Sequence, residues 1–183
     1  MNLANYNQRV RQRSPLKYWL GYFSRLRLYL LQEFWRNVAR FRGASIGPNA
    51  IVCWRLALKA NSNLSVGGDT IIDTDSLDLR SPVRIGSHCI INKGVEIIRV
   101  SHYIDGNNAF SSRYYPPLVI EDYVWLATGS KILPNCTLVS RGTVLGAFSV
   151  CVKNALSGGC TAAFPQKCLE LTALFGTNCL CAV

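Results

Sequence analysis

The chain has 183 residues, 49% of them hydrophobic and 16% charged, with a formal net charge of +10. That length allows a domain with a real core, and that balance excludes a disordered chain. The charge is concentrated: residues 1–42 carry nine bases and one acid, which argues against a nucleic-acid binder with basicity spread over its surface.

Residues 1–14 are polar and basic. Residues 15–42 read as a helix. Ser14 can cap it and Pro15 suits its first turn. Trp19, Leu20, Phe23, Leu26, Leu30, Phe34, Val38 and Phe41 recur near the 3.6-residue period, with arginines between them. Gly43 ends the pattern. No signal peptide is legible, and no stretch reaches the roughly 20 apolar residues of a membrane span.

From residue 44 the helical period vanishes and a six-residue beat replaces it. Val66 and Ile72 keep it, as do Ile85, Ile91 and Ile97, then Ile120, Leu126, Ile132 and Leu138. Four residues after each beat stands a small or modest residue, among them Cys89, Val95, Ser101, Val124, Ser130 and Cys136. A hexad is one short strand and one tight turn. Three hexads make a coil with the beat residue pointing inward, and a single coil buries nothing until others stack on it. A β-sandwich would instead alternate with period two. The prediction is an all-β solenoid, a parallel β-helix over residues 44–168, after a basic helical segment at 1–43 and before a short extension at 169–183. One extra residue lies between Leu138 and Leu145, where the beat is expected to slip. Residues 103–118 lack the beat and read as a loop thrown out of the solenoid, with His102 at its root.

Cysteines stand at 53, 89, 136, 151, 160, 168, 179 and 181. None forms a C-x-x-C pair and the chain has two histidines, so neither zinc nor any other metal is expected. They read as buried free thiols, suited to a reducing cytoplasm. His88 reads as a turn residue.

Residues 119–154 run VIEDYVWLATGSKILPNCTL and then VSRGTVLGAFSVCVKN. With Ile85–Gly86 through Ser101–His102 upstream, this stretch resembles the maltose/galactoside/colanic-acid acetyltransferase group of the hexapeptide-repeat acyltransferases. The likeness covers about residues 64–168. Ala127 stands where that family has glycine, Phe148 replaces a small residue, and the closing segment reads Ala162-Ala163-Phe164-Pro165-Gln166-Lys167.

The resemblance implies a left-handed coil and an acetyl-CoA-dependent O-acetyltransferase acting on a sugar or polysaccharide hydroxyl, with no metal. It implies His102 as the base that takes the hydroxyl proton, a role imidazole fills near neutral pH. It implies the backbone N–H of Thr128 as the oxyanion donor. Acetyl-CoA would lie along Thr128, Gly129, Gly146 and Ala147, with Lys153 and Lys167 near its phosphates. Tyr103, Asp105, Asn107, Phe110, Arg113 and Tyr114 are candidates for holding the acceptor, with Trp125 packed beside the site. It also implies a homotrimer with sites at subunit boundaries. Serine or antibiotic acetylation, or an inactive scaffold, remain alternatives; a carbonic-anhydrase-like site is disfavoured because it needs three histidines. The basic helix is expected to cap the solenoid, and its arginines and aromatics suit peripheral contact with an anionic inner membrane face. A cytoplasmic location is expected.

Overall fold

The computed structural model describes residues 15–103, 112–155 and 157–161. The chain divides into two compact units, Met1–Phe34 and Trp35–Val183.

Helix α1 spans Pro15–Phe41, one residue short of the expected end. In the first unit it exposes its apolar side chains, including Trp19, Phe23, Leu26, Leu30 and Phe34. Among the described residues no helix is long and apolar enough to cross a membrane. In the second unit Ala39 is fully buried, and Trp35 and Val38 pack on the core. The helix closes in a Schellman turn. Gly43 takes a φ of +99° and donates to Arg40 O at 2.9 Å, while Ala44 N donates to Ala39 O at 3.1 Å. Phe41, read as part of the apolar stripe, is 94% exposed; it lies about 200° round the helix from buried Ala39. Arg40 donates to Ile46 O at 2.7 and 3.0 Å, tying the helix end to the first strand.

The strands follow in short pieces: β1 Ser45–Ile46, β2 Ile51–Val52, β3 Leu64–Val66, β4 Ile71–Ile72, β5 Val83–Ile85, β6 Ile90–Ile91, β7 Glu96–Ile97 and β8 Ser101–His102. After the insertion come β9 Arg113–Tyr114, β10 Leu118–Ile120, β11 Trp125–Leu126, β12 Lys131–Ile132, β13 Leu138–Val139, β14 Val144–Leu145, β15 Val150–Cys151 and β16 Cys160–Thr161. A first sheet orders as β1-β3-β5-β10-β13, a second as β16-β14-β11-β6-β4-β2, and a third as β15-β12-β7. All their pairings are parallel, and the chain visits the sheets in turn, an arrangement compatible with a parallel β-helix. Coils on the two sides of the insertion stack in register, Ile85 on Ile120 and Ile91 on Leu126.

The core is the beat. Ile46, Val66, Ile85 and Ile120 are buried in the first sheet; Val52, Ile72, Ile91, Leu126 and Leu145 in the second; Ile97, Ile132 and Cys151 in the third. Four residues on, Ala50, Thr70, Cys89, Val124, Ser130, Cys136 and Ser149 are buried at the corners, where a small volume is all that fits.

Two details differ from the hexad reading. Leu138 is half-buried and Val139 is the buried residue paired with Ile120. The slip therefore falls between Ile132 and Val139, one turn earlier than expected, because Leu133–Thr137 makes a longer corner. A short helix, α2 at Trp54–Lys59, also interrupts the first coil and buries Leu56 and Ala57. Leu, Ala and Lys there are good helix formers, and the beat alone does not reveal them. Cys53, Cys89, Cys136 and Cys151 are free thiols. The Cys151 thiol donates to Cys136 Sγ at 3.5 Å, and that bond with burial pushes its pKa up.

Candidate active site

His102 sits where the chain leaves the stack. After Ile97 the next hexad does not form a third-sheet corner; instead β8 turns outward and pairs antiparallel with β9, Ser101 opposite Tyr114 and His102 opposite Arg113. Tyr103 N donates to Ser112 O at 3.2 Å and extends this hairpin. The Tyr103 and Tyr114 rings lie 4.6 Å apart, and Tyr114 Oη reaches Asn135 Oδ1 at 3.4 Å. His102, Tyr103 and Arg113 are exposed. The His102 ring makes no hydrogen bond among the described residues, so it can face a hydroxyl. Asp105, Asn107 and Phe110 lie outside the described residues, as do Lys167 and the 169–183 extension.

Four of the predicted coenzyme residues, Thr128, Gly129, Gly146 and Ala147, gather at a different corner. Thr128 and Gly129 turn the chain between β11 and β12, and Gly146 and Ala147 turn it between β14 and β15. The two turns stack, with Phe148 N donating to Thr128 O at 3.0 Å and Gly129 N to Lys93 O at 3.4 Å below. In this corner Ala127, Gly129 and Ser130 use their N–H groups within the stack. The N–H of exposed Thr128 makes no bond among the described residues, so it is free to meet an oxyanion. Gly129 takes a φ of +71°, and a Cβ there would come 2.5 Å from the Phe148 ring, which is 70% exposed beside it. Phe148 and Lys93 thus border the Gly129 turn, and they were not among the predicted site residues. The signal for Phe148 was its bulk at a turn position that the resemblance makes small.

Thr128 opens the corner before β12, whereas His102 lies beyond the far end of β7, the parallel neighbour of β12. The two halves of the predicted site therefore occupy opposite ends of the third sheet. Lys153, exposed, follows β15 and falls at the His102 end, away from Thr128. Trp125 is 45% exposed on the outer face of β11, between Ile90 and Val144. His88 is a turn residue with φ +58°, stacked on Tyr123 at 5.0 Å.

One further residue at the root of the hairpin was not foreseen. Arg99 is fully buried, and burial lowers its pKa. Its guanidinium donates to five backbone carbonyls: Pro116 at 2.9 Å, Pro117 at 3.1 Å, Leu133 at 3.3 Å, Pro134 at 3.0 Å and Cys136 at 2.9 Å. The available signal was a lone charge in the run Ile97-Ile98-Arg99-Val100. Nearby, a groove of about 340 Å³ includes Lys59, Asp75, Asp78 and Arg80 in its lining. Its charges are already paired, Lys59 with Asp75 at 2.9 Å and Arg80 with Asp78 at 2.6 Å.

No family model matches the chain. The curated proteins similar to it include two that are each 28% identical over 126 residues. Both are named, provisionally, as colanic acid biosynthesis acetyltransferase WcaF, one from Escherichia coli (strain K12) and one from Shigella flexneri. The match covers 66% of this chain and 65% of each relative's length.

Proposed function

We propose that this protein is an acetyl-CoA-dependent O-acetyltransferase, built on a left-handed parallel β-helix, that acetylates a hydroxyl of a sugar or surface-polysaccharide unit. The observation that carries the reading is His102, exposed on a hairpin beside the stacked parallel strands, with no ring hydrogen bond among the described residues. The similarity to proteins named as colanic acid acetyltransferases supports the reaction class.

In this mechanism His102 accepts the proton of the acceptor hydroxyl as the hydroxyl oxygen attacks the thioester carbon. Thr128 N–H donates to the carbonyl oxygen as it gains charge, a contribution of about 3 kcal/mol. His102 then returns the proton to the departing coenzyme A sulfur. Gly129, Gly146 and Ala147 are assigned to the pantetheine arm because their turns stack beside Thr128, and Lys153 and Lys167 are assigned to the phosphates. Tyr103, Asp105, Asn107 and Arg113 are assigned to the acceptor, and Trp125 to packing beside the site.

His102 and Thr128 lie at opposite ends of the third sheet, which supports a site shared between copies in a homotrimer. A ladder of outward apolar residues in the second sheet, Ile71, Ile90 and Trp125, each more than two-fifths exposed, gives such copies a surface to bury. We assign the exposed apolar residues of α1, with Arg25 and Arg27, to peripheral contact with an anionic cytoplasmic membrane face. Flotation with anionic vesicles at rising salt tests that contact, and failure to float at low salt overturns it.

Free-thiol release from acetyl-CoA over a panel of sugars and oligosaccharides tests the activity. His102→Ala should lower turnover by about 10²–10⁴-fold while acetyl-CoA still binds. A second reading, an inactive scaffold, is favoured by one observation, the Phe148 ring lying against Gly129. Failure of the wild type to bind acetyl-CoA would select that reading, and binding gained by Phe148→Ala would trace it to the ring.

A further inference from the structure

The insertion leaves the stack after Ile98 and rejoins it at β10, so its neck has two strands of backbone to hold together. The returning strand arrives through Pro116 and Pro117. Neither has an N–H, so their carbonyls are the groups by which the backbone there can be tied. Pro116 O accepts from Arg99 Nε at 2.9 Å and from Ser81 Oγ at 3.0 Å, and Pro117 O accepts from an Arg99 terminal nitrogen at 3.1 Å. The same guanidinium takes up the carbonyls of Leu133, Pro134 and Cys136. These lie in the long corner where the six-residue beat slips to seven.

The count of donors is telling. A guanidinium has five N–H groups in a rigid plane, and Arg99 spends them on five carbonyls from two segments. No carboxylate takes any of them; Asp78 accepts from the Arg99 backbone N at 3.2 Å instead. A buried charge held only by carbonyl dipoles is costly unless all of them converge. The side chain therefore locks both segments at once. Three residues along the chain stands His102, whose strand pairs with the strand that leads into Pro116. Tyr114 adds a second tie to the same corner through Asn135.

We propose that Arg99 is a positioning residue: its guanidinium clamps the neck of the hairpin and so fixes where His102 stands relative to the stack. The inference rests on the reading of His102 as the base. Lysine cannot replace arginine here, since it offers three donors from one point and cannot span two segments.

The test uses the full-length chain carrying His88→Asn, a residue that tolerates the left-handed backbone at that turn. His102 is then the sole histidine, and histidine-selective isotope labelling reports its ring alone. Arg99→Lys and Arg99→Met should shift or broaden the His102 ring resonances. On the folded fraction, kcat should fall by about ten- to a hundred-fold, the scale of a misplaced group, with KM for acetyl-CoA little changed. A merely structural arginine would lower the unfolding midpoint and leave the ring signal and kcat of the folded protein alone, and that result overturns the proposal. If neither variant folds, one glycine inserted between Tyr115 and Pro116 loosens the neck with Arg99 intact. The same ring broadening and kcat loss support the clamp, and unchanged values overturn it. Full turnover by His102→Ala would instead sink the base assignment, while the ring signal still judges the clamp.

Discussion

Gly86→Ala should be among the most damaging single-methyl additions to this protein. Gly86 closes β5 and lies directly beneath the coil that follows the insertion. A Cβ built there falls 2.5 Å from Asp122 Oδ1, 2.7 Å from Asp122 N and 2.7 Å from Glu121 C. Two of these three atoms are backbone, so no side chain can swing aside to make room for all of them. The contact can be relieved only by parting the two coils by several tenths of an ångström. That strains Gly86 N to Ile120 O at 2.7 Å and Ser87 N to Asp122 Oδ1 at 2.7 Å. Weakening two hydrogen bonds costs on the order of 1 kcal/mol each, and overpacking adds about 1–3 kcal/mol. A loss of about 3–5 kcal/mol is expected. Gly142→Ala is the control: its φ of +72° penalises any side chain, yet nothing lies within 4 Å of the added carbon, so only about 1–2 kcal/mol of backbone strain applies. Urea unfolding of both variants at one fixed protein concentration measures the difference, because self-association would otherwise shift the midpoint. If Gly86→Ala costs no more than Gly142→Ala, close stacking of the coils is not what demands glycine there.

Val139→Ala should cost about 1–3 kcal/mol while Leu138→Ala costs less, although leucine loses the larger side chain, because Val139 is the fully buried member of the pair; the reverse order in thermal melts would restore the unbroken hexad. Asp78→Asn should destabilise at pH 7 and by less at pH 3. The Arg80 guanidinium beside it holds the Asp78 carboxyl below its usual range, helped by the backbone N–H groups of Arg80 and Arg99 and opposed by burial. A depressed folded-state value contributes stability above the unfolded value of about 3.9 and loses it as pH falls through the folded value. Melting points that stay equally far apart at both pH values would refute this. Cys136 and Cys151, both buried, should resist alkylation in the native protein and react when urea opens the core; rapid native labelling at either would contradict the packing described.

The repeat, and through it most of the core, is written in the order of the residues. A hexad beat fixes which side chains point inward, because each short strand must face the same axis as its neighbours. That is why Ile85, Ile91, Ile97, Ile120, Leu126 and Ile132 were legible in the sequence, whereas the chain leaves the stack after Ile98, ahead of the loop read at 103–118. The end of α1 was legible too, since Gly43 takes a backbone conformation other residues resist. What the sequence could not show is long-range. The slip to Val139 depends on carbonyls of Leu133–Cys136 turning toward Arg99, a partner 34 to 37 residues away. The separation of His102 from Thr128 depends on which corner each turn occupies, and spacing along the chain is silent on that. Arg99 itself looks like an ordinary surface charge until the fold closes over it and the only groups left to receive its five donors are backbone carbonyls.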